Sequence, residues 1–311
     1  MFTPIDGIMP VMLTPFTDDN AIDWAGLERL VEWYLDHGAD ALFAVCQSSE
    51  MQYLSLAERD GLAKAVIAQV AGRVPVVVSG HISDDLQAQV QELTAAAATG
   101  ADAVILVTNH LDPRNEGTAT FRATLDALLA RLPRDVPLGL YECPAPYRRL
   151  LSDDELQACI ETGRFVVLKD VSCDLPTIQR RIAMAKGSSL AIINANAALA
   201  WDAMQAGSRG FCGVHTNYHP DLYKWLLTHG AEAPQIRERL VPFLAMAALS
   251  EGFGYPAQAK LFHQTLGTID SIHCRVTDFD MHERFWAIDV VLEKLEAGSA
   301  LFRKEILASR A

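Results

Sequence analysis

"HGADALFAV" at residues 37–45 and "TGADAVILV" at 99–107 are nearly the same unit written twice. Each has a glycine where a helix would end, an Ala-Asp pair, and then a short apolar run. Repeated units of this kind imply repeated packing environments. Working outward from the pair, further apolar runs occur at "GIMPVMLTP" (7–15), "VPVVVSG" (74–80), "VPLGLYE" (136–142), "FVVLKD" (165–170), "LAIINA" (190–195) and "GFCGV" (210–214), which makes eight in all. Helical patterns lie between them, among them "WAGLERLVEWYLDHG" (24–38), "DDLQAQVQELTAAAATG" (84–100) and "DDELQACIETG" (153–163), each closing on a glycine suited to a C-cap. Apolar runs alternating with amphipathic helices describe β-α units around a parallel sheet. Eight of them predict a closed α/β TIM barrel, (β/α)8. An open doubly wound sheet would want a G-x-G-x-x-G after an early strand, and there is none. From about residue 230 the apolar period is helical throughout, in "AEAPQIRERLVPFLAMAALSEG" and "DFDMHERFWAIDVVLEKLEAG". The expected organisation is a barrel over 1–229 followed by a C-terminal helical appendage over 230–311.

Composition agrees with a globular protein. Half of the 311 residues are hydrophobic and 21% are charged, with a net charge of −13. That acidic balance argues against nucleic acid or an anionic membrane as partner. No apolar stretch reaches membrane-spanning length, and "MFTPIDGIMP" lacks the basic segment and apolar core of a signal peptide, so a cytoplasmic location is expected. The cysteines at 46, 143, 159, 173, 212 and 274 contain no C-x-x-C pair and read as free thiols. Cys46, Cys143, Cys173 and Cys212 fall near strand ends with His215 and His219, but without the spacing of a zinc site, so no metal is expected.

In a barrel of this kind, chemistry sits at the C-terminal ends of the strands. Lys169 ends the sixth run, and strand alternation puts it on the face of Val167, toward the barrel mouth. An ordinary lysine is neutral to only about one part in a few thousand at pH 7, and burial can change that by several pKa units. A neutral amine attacks a ketone, which suits a Schiff-base nucleophile; the alternative is a lysine snorkelling at a strand end. Tyr141 ends the fifth run, on the neighbouring strand, where a phenol can pass protons between amine, carbinolamine and substrate.

These residues resemble a known family. "GIMPVMLTPF" with Thr14, Pro15 and Phe16, "YECP" with Tyr141 and Pro144, "LKDVSCD" with Lys169 and the late "GYPAQAKLFHQTLG" (254–267) are similar to the dihydrodipicolinate synthase and N-acetylneuraminate lyase family along nearly the whole chain. The resemblance implies a barrel, usually a homotetramer, that forms a Schiff base between this lysine and a 2-oxo acid, commonly pyruvate, with no metal and no organic cofactor. It also implies a substrate-carboxylate grip after the second strand. There the family's G-x-x-G-E turn is replaced by "CQSSE" (46–50), so that Gln47 and Ser48 take the central positions, followed by Ser49 and Glu50. Ser48 can donate to a carboxylate, whereas Gln47 cannot relay a proton as a hydroxyl does. Gln47, Ser48, Ser49 and, at the eighth strand end, Cys212 are the expected substrate-binding residues. Asn217 matches a family position that shapes the loop after the eighth strand.

Two further departures concern the synthases. His110 and Leu111 stand where they present a tyrosine to a neighbouring subunit, and Pro146 stands where they carry an arginine, with Arg148 and Arg149 beyond. On that ground the chain is expected not to be a dihydrodipicolinate synthase itself. After the seventh strand "NANAA" (194–198) replaces the acidic residues of sugar-acid lyases. The expected function is a Schiff-base lyase acting on a 2-oxo acid, in the pyruvate-forming aldolase sense. A 2-oxo-3-deoxy acid dehydratase of the same family and a non-catalytic 2-oxo acid sensor are the alternatives.

Overall fold

The computed structural model of the protein describes residues 2–309. Eight parallel strands, β1 (Gly7–Ile8), β2 (Leu42–Val45), β3 (Val76–Val78), β4 (Ala103–Val107), β5 (Leu138–Tyr141), β6 (Phe165–Asp170), β7 (Ala191–Asn194) and β8 (Gly210–Phe211), form one sheet in the order β1-β8-β7-β6-β5-β4-β3-β2. The two ends approach each other where Val11 bridges Phe43 and the Met12 N–H donates to the Phe43 carbonyl at 3.1 Å. The sheet therefore curls into the barrel that the apolar runs predicted. The first run is longer than its strand for a local reason. Pro10 has no N–H to donate to a ladder, so regular pairing stops at Ile8 and resumes only as a bridge, with Phe43 N donating to Pro10 O at 2.9 Å. At the β1–β8 seam a Cβ on Gly210 would stand 1.9 Å from the Gly7 carbonyl oxygen, so only glycine fits there.

Each strand is followed by a helix: α1 (Trp24–Asp36), α2 (Leu56–Val70), α3 (Leu86–Ala98), α4 (Thr118–Leu129), α5 (Asp153–Glu161), α6 (Leu175–Ala185), α7 (Ala200–Ala206) and α8 (Pro220–His229). Their starts are written in the sequence. Ser55 with Glu58 and Ser152 with Glu155 form reciprocal capping boxes, and Asp23, Asp85 and Asp174 accept from first-turn N–H groups, each cap contributing about 1 kcal/mol. Gly38, Gly100 and Gly163, the expected helix stops, all have positive φ.

Every strand residue is buried. Alternation along a strand therefore separates the barrel interior from the layer under the helices, with neither face in water. In β6 this sets Lys169 inward and Asp170 outward.

Four more helices follow: α9 (Pro234–Ala247), α10 (Ala257–Thr265), α11 (Met281–Arg284) and α12 (Ile288–Ala308). Residues of α8, α9 and α12, including Trp225, Leu240, Leu244 and Ile306, share one apolar cluster with Ile8 and Phe211 of the barrel. The segment around α10 is tied to the loop after β2 by buried charge. Lys260 donates to Glu50 Oε1 at 2.6 Å, and the backbone N–H groups of Arg275 and Val276 donate to Glu50 Oε2 at 2.6 and 2.9 Å. Among the described residues no helix is long and apolar enough to cross a membrane. All six cysteines are free thiols, and only Cys173 is exposed.

Candidate active site

A cavity of about 650 Å³ opens at the C-terminal ends of the strands, with Lys169 and Tyr141 in its lining. The parallel register of β5 and β6 makes the two residues direct neighbours. The Lys169 side chain lies over the phenol face, with Nζ 4.4 Å from the ring centroid. Lysine at this position is 6% exposed. Three of the surrounding carboxylates are engaged elsewhere, Glu142 and Asp170 with Arg181 and Glu50 with Lys260, and the amine faces the cavity. The Tyr141 hydroxyl donates to Gln47 Oε1 at 3.4 Å, and the Cys143 thiol donates to the same oxygen at 3.4 Å. Burial holds the phenol well above the usual tyrosine range, so its proton stays on at neutral pH.

The loop after β2 brings Gln47, Ser48 and Glu50 into the wall. Loss of the family's two glycines strains nothing, because neither Cys46 nor Ser49 has a positive φ and only Glu50 adopts the left-handed conformation. The turn is closed by Ser49 N and Met51 N, both donating to Cys46 O, and by Glu50 N donating to Gln47 O. Among the described residues the N–H groups of Gln47 and Ser48 have no hydrogen-bond acceptor. Together with the Ser48 hydroxyl they form a cluster of donors with the character of a carboxylate site.

The other expected binding residues lie elsewhere. Ser49 is fully buried beneath the turn, its hydroxyl donating to Met12 O at 2.8 Å and Ala44 O at 2.9 Å, which is where a hydroxyl without access to water finds partners. Cys212 is also fully buried and outside the cavity lining, and burial pushes its thiol up to about 12. Asn217 holds the loop after β8, its amide donating to Val11 O and Val214 O at 3.0 Å. Among the described residues no three His, Cys, Asp or Glu side chains gather as a metal-ligand set.

Glu251 and Tyr255, which the sequence did not single out, also line the wall, as does His215, which the sequence placed near the strand ends only as a potential metal ligand. The Tyr255 hydroxyl accepts from Asn217 Nδ2 at 3.2 Å; burial raises its pKa well above the usual value, with Ser48 opposing. His215 is 1% exposed, and burial lowers its pKa to about 3, so the ring is neutral. The stretch "SEGFGYP" holds Glu251 and Tyr255; Tyr255 lies within the segment of family resemblance at 254–267, and Glu251 just ahead of it.

Behind the pair of strands sits a second charged group, out of reach of the cavity. Arg181 of α6 donates to both oxygens of Glu142 at 2.6 and 3.0 Å, to Asp170, and to Leu151 O at 3.1 Å. Glu142 follows Tyr141 and Asp170 follows Lys169, so one guanidinium clamps the two strand ends that carry the pair.

Known proteins share this arrangement of elements. The chain is 29% identical over 268 residues to the 4-hydroxy-tetrahydrodipicolinate synthase of Nitrosococcus oceani, covering 84% of this chain and 88% of that one. The chloride-inhibited dihydrodipicolinate synthase of Acinetobacter baumannii, solved in complex with pyruvate, superposes with a TM-score of 0.82 at 24% identity, covering 94% and 99% of the two chains. CdNal of Clostridium difficile, solved with mannosamine, gives a TM-score of 0.82 at 16% identity, covering 96% and 100%. These matches correct one expectation. The departures at His110 and Pro146 do not set the chain apart from the synthases, since relatives 25% to 30% identical to it bear the name 4-hydroxy-tetrahydrodipicolinate synthase. Both departures are local, in loops beyond β4 and β5, whereas the similarity is spread along the barrel. The family model of the dihydrodipicolinate synthetases matches residues 4–280, and the chain belongs to that family.

Proposed function

We propose that the protein forms a Schiff base between Lys169 and a 2-oxo acid of pyruvate type, and makes or breaks a carbon–carbon bond at C3 of that acid. The observation that carries this reading is the placement of the Lys169 amine over the Tyr141 ring, in register on adjacent strands, in the lining of the cavity. The donors of Gln47 and Ser48 receive the substrate carboxylate and so aim C2 at the amine. Lys169 attacks C2, and Tyr141, whose proton is retained by burial, donates it to the departing carbinolamine oxygen. The resulting iminium draws electrons from C3, which supports aldol bond formation and its reverse alike. The A. baumannii relative holds pyruvate, which makes pyruvate the first 2-oxo acid to try.

The test is borohydride reduction with and without pyruvate, followed by intact-mass measurement and peptide mapping. A pyruvate-dependent adduct on the peptide carrying Lys169 is expected, and Lys169→Ala should abolish it while leaving the circular dichroism spectrum and melting temperature close to wild type. An adduct that persists in that variant would move the nucleophile elsewhere.

A further inference from the structure

The proposed chemistry demands two kinds of proton transfer, and the cavity offers a clear donor for only one. Tyr141 can serve the oxygen leaving C2. Its hydroxyl, however, points at the amide oxygen of Gln47, which has no proton to pass on, so no chain of hydroxyls continues from it. The second transfer is at C3, where every reaction running through an enamine must remove or return a proton or an electrophile.

Of the two carboxyl groups in the cavity lining, Glu50 is consumed by Lys260 and by two backbone N–H groups. Glu251 is the other. It stands in the short helical turn Ala248–Gly252 after α9, and among the described residues its carboxyl has no hydrogen-bond or ion-pair partner. As a residue it retains solvent exposure, as a group exchanging protons with water requires. The groups that share its surroundings are Lys169 from β6, neutral His215 and protonated Tyr218 from the loop after β8, and Tyr255 just beyond its own turn. Lys169 is the single cation among them.

Resting on the Schiff-base reading, we infer that Glu251 is the acid–base group for C3 of the imine-bound substrate. The Glu251 carboxylate takes a proton from C3 of the iminium; the C–H electron pair becomes the C2–C3 double bond, and the C2–N π pair returns to nitrogen. The reverse step returns the proton from the carboxylic acid and restores the iminium. No oxidant or further reactant is needed. Partial desolvation at the cavity wall raises the carboxyl above its ordinary value, with the charge of Lys169 opposing, which brings both protonation states closer to neutral pH. The role is independent of the electrophile, so it holds for cleavage and condensation alike.

Pyruvate itself is the probe. In deuterium oxide, exchange of its methyl protons, followed by proton NMR, reports C3 deprotonation, while borohydride trapping reports the imine. Glu251→Gln removes the base, disturbs no hydrogen bond and keeps the shape. We expect trapping within about twofold of wild type and exchange slower by about 10²-fold or more, the usual weight of a positioned general base. The wild-type rate should rise with pH through a limb above the ordinary carboxylate range, since the carboxylate is the active form, and the variant should lack that limb. An intact adduct with wild-type exchange in Glu251→Gln would remove Glu251 from the mechanism and leave the Schiff base standing. No adduct in the wild-type protein would overturn both readings.

Discussion

Replacing Arg181 by methionine should destabilise the protein strongly, and less so in acid. Arg181 is 1% exposed, and its charge partners Glu142 and Asp170 are fully buried. The substitution removes three charge-assisted hydrogen bonds and one to the Leu151 carbonyl. Both carboxylates keep some donors, Glu142 from Leu151 N and Val171 N and Asp170 from Ser172 N and Oγ, but neither keeps a cation. Breaking a buried ion pair by deleting one partner costs about 3–5 kcal/mol. With about 2 cal/mol/K of unfolding entropy per residue, a chain of 311 residues loses roughly 5–8 °C of Tm for that cost. The pH dependence has a definite sign. Burial already raises the Glu142 pKa in the folded protein, with Arg181 opposing, and loss of Arg181 raises it further. A carboxyl whose folded pKa lies above its unfolded value favours folding at low pH, and that contribution is lost as pH rises through the folded pKa. The Tm gap between Arg181→Met and wild type should therefore narrow from pH 8 to pH 5. Differential scanning fluorimetry across that range is the assay. A gap under about 2 °C at pH 8, against the buried-pair cost assumed here, would refute the clamp, as would one that widens on acidification.

Two other perturbations separate substrate binding from the scaffold. Ser48→Ala should weaken pyruvate binding about tenfold or more, measured as the concentration giving half-maximal trapping, because a hydrogen bond to a charged group contributes about 1.5–3 kcal/mol; the maximal extent of trapping should be unchanged. Lys260→Met strands the buried Glu50 carboxylate and should cost about 3–5 kcal/mol in chemical denaturation. Since Glu50 closes the turn that carries Gln47 and Ser48, the variant should also bind pyruvate more weakly, and intact affinity would show that the turn holds its shape without the ion pair.

The barrel was legible because its signals are local. Apolar runs, the S-x-x-E boxes at Ser55 and Ser152, and the glycines at 38, 100 and 163 each state a strand, a helix start or a helix stop within a few residues. Lys169 and Tyr141 could be paired from the same information, since neighbouring strands of a β-α repeat lie side by side and a strand end sets a side chain at the mouth. Ser49 and Cys212 were expected to bind substrate because they sit beside the right loop or strand end in sequence, but which side of a turn a hydroxyl faces depends on carbonyls such as Met12 O, brought there by another strand. Likewise nothing local joins Gln47 to Tyr141, Glu50 to Lys260, or Glu142 to Arg181, pairs separated by 94, 210 and 39 residues. Glu251 and Tyr255 reach the cavity only because the helices after residue 230 fold back over the barrel. The sequence by itself determined the elements and the chemistry available at their ends. The tertiary structure alone decided which of those groups meet, because burial, register and the pairing of charge are properties of surfaces brought together from distant parts of the chain.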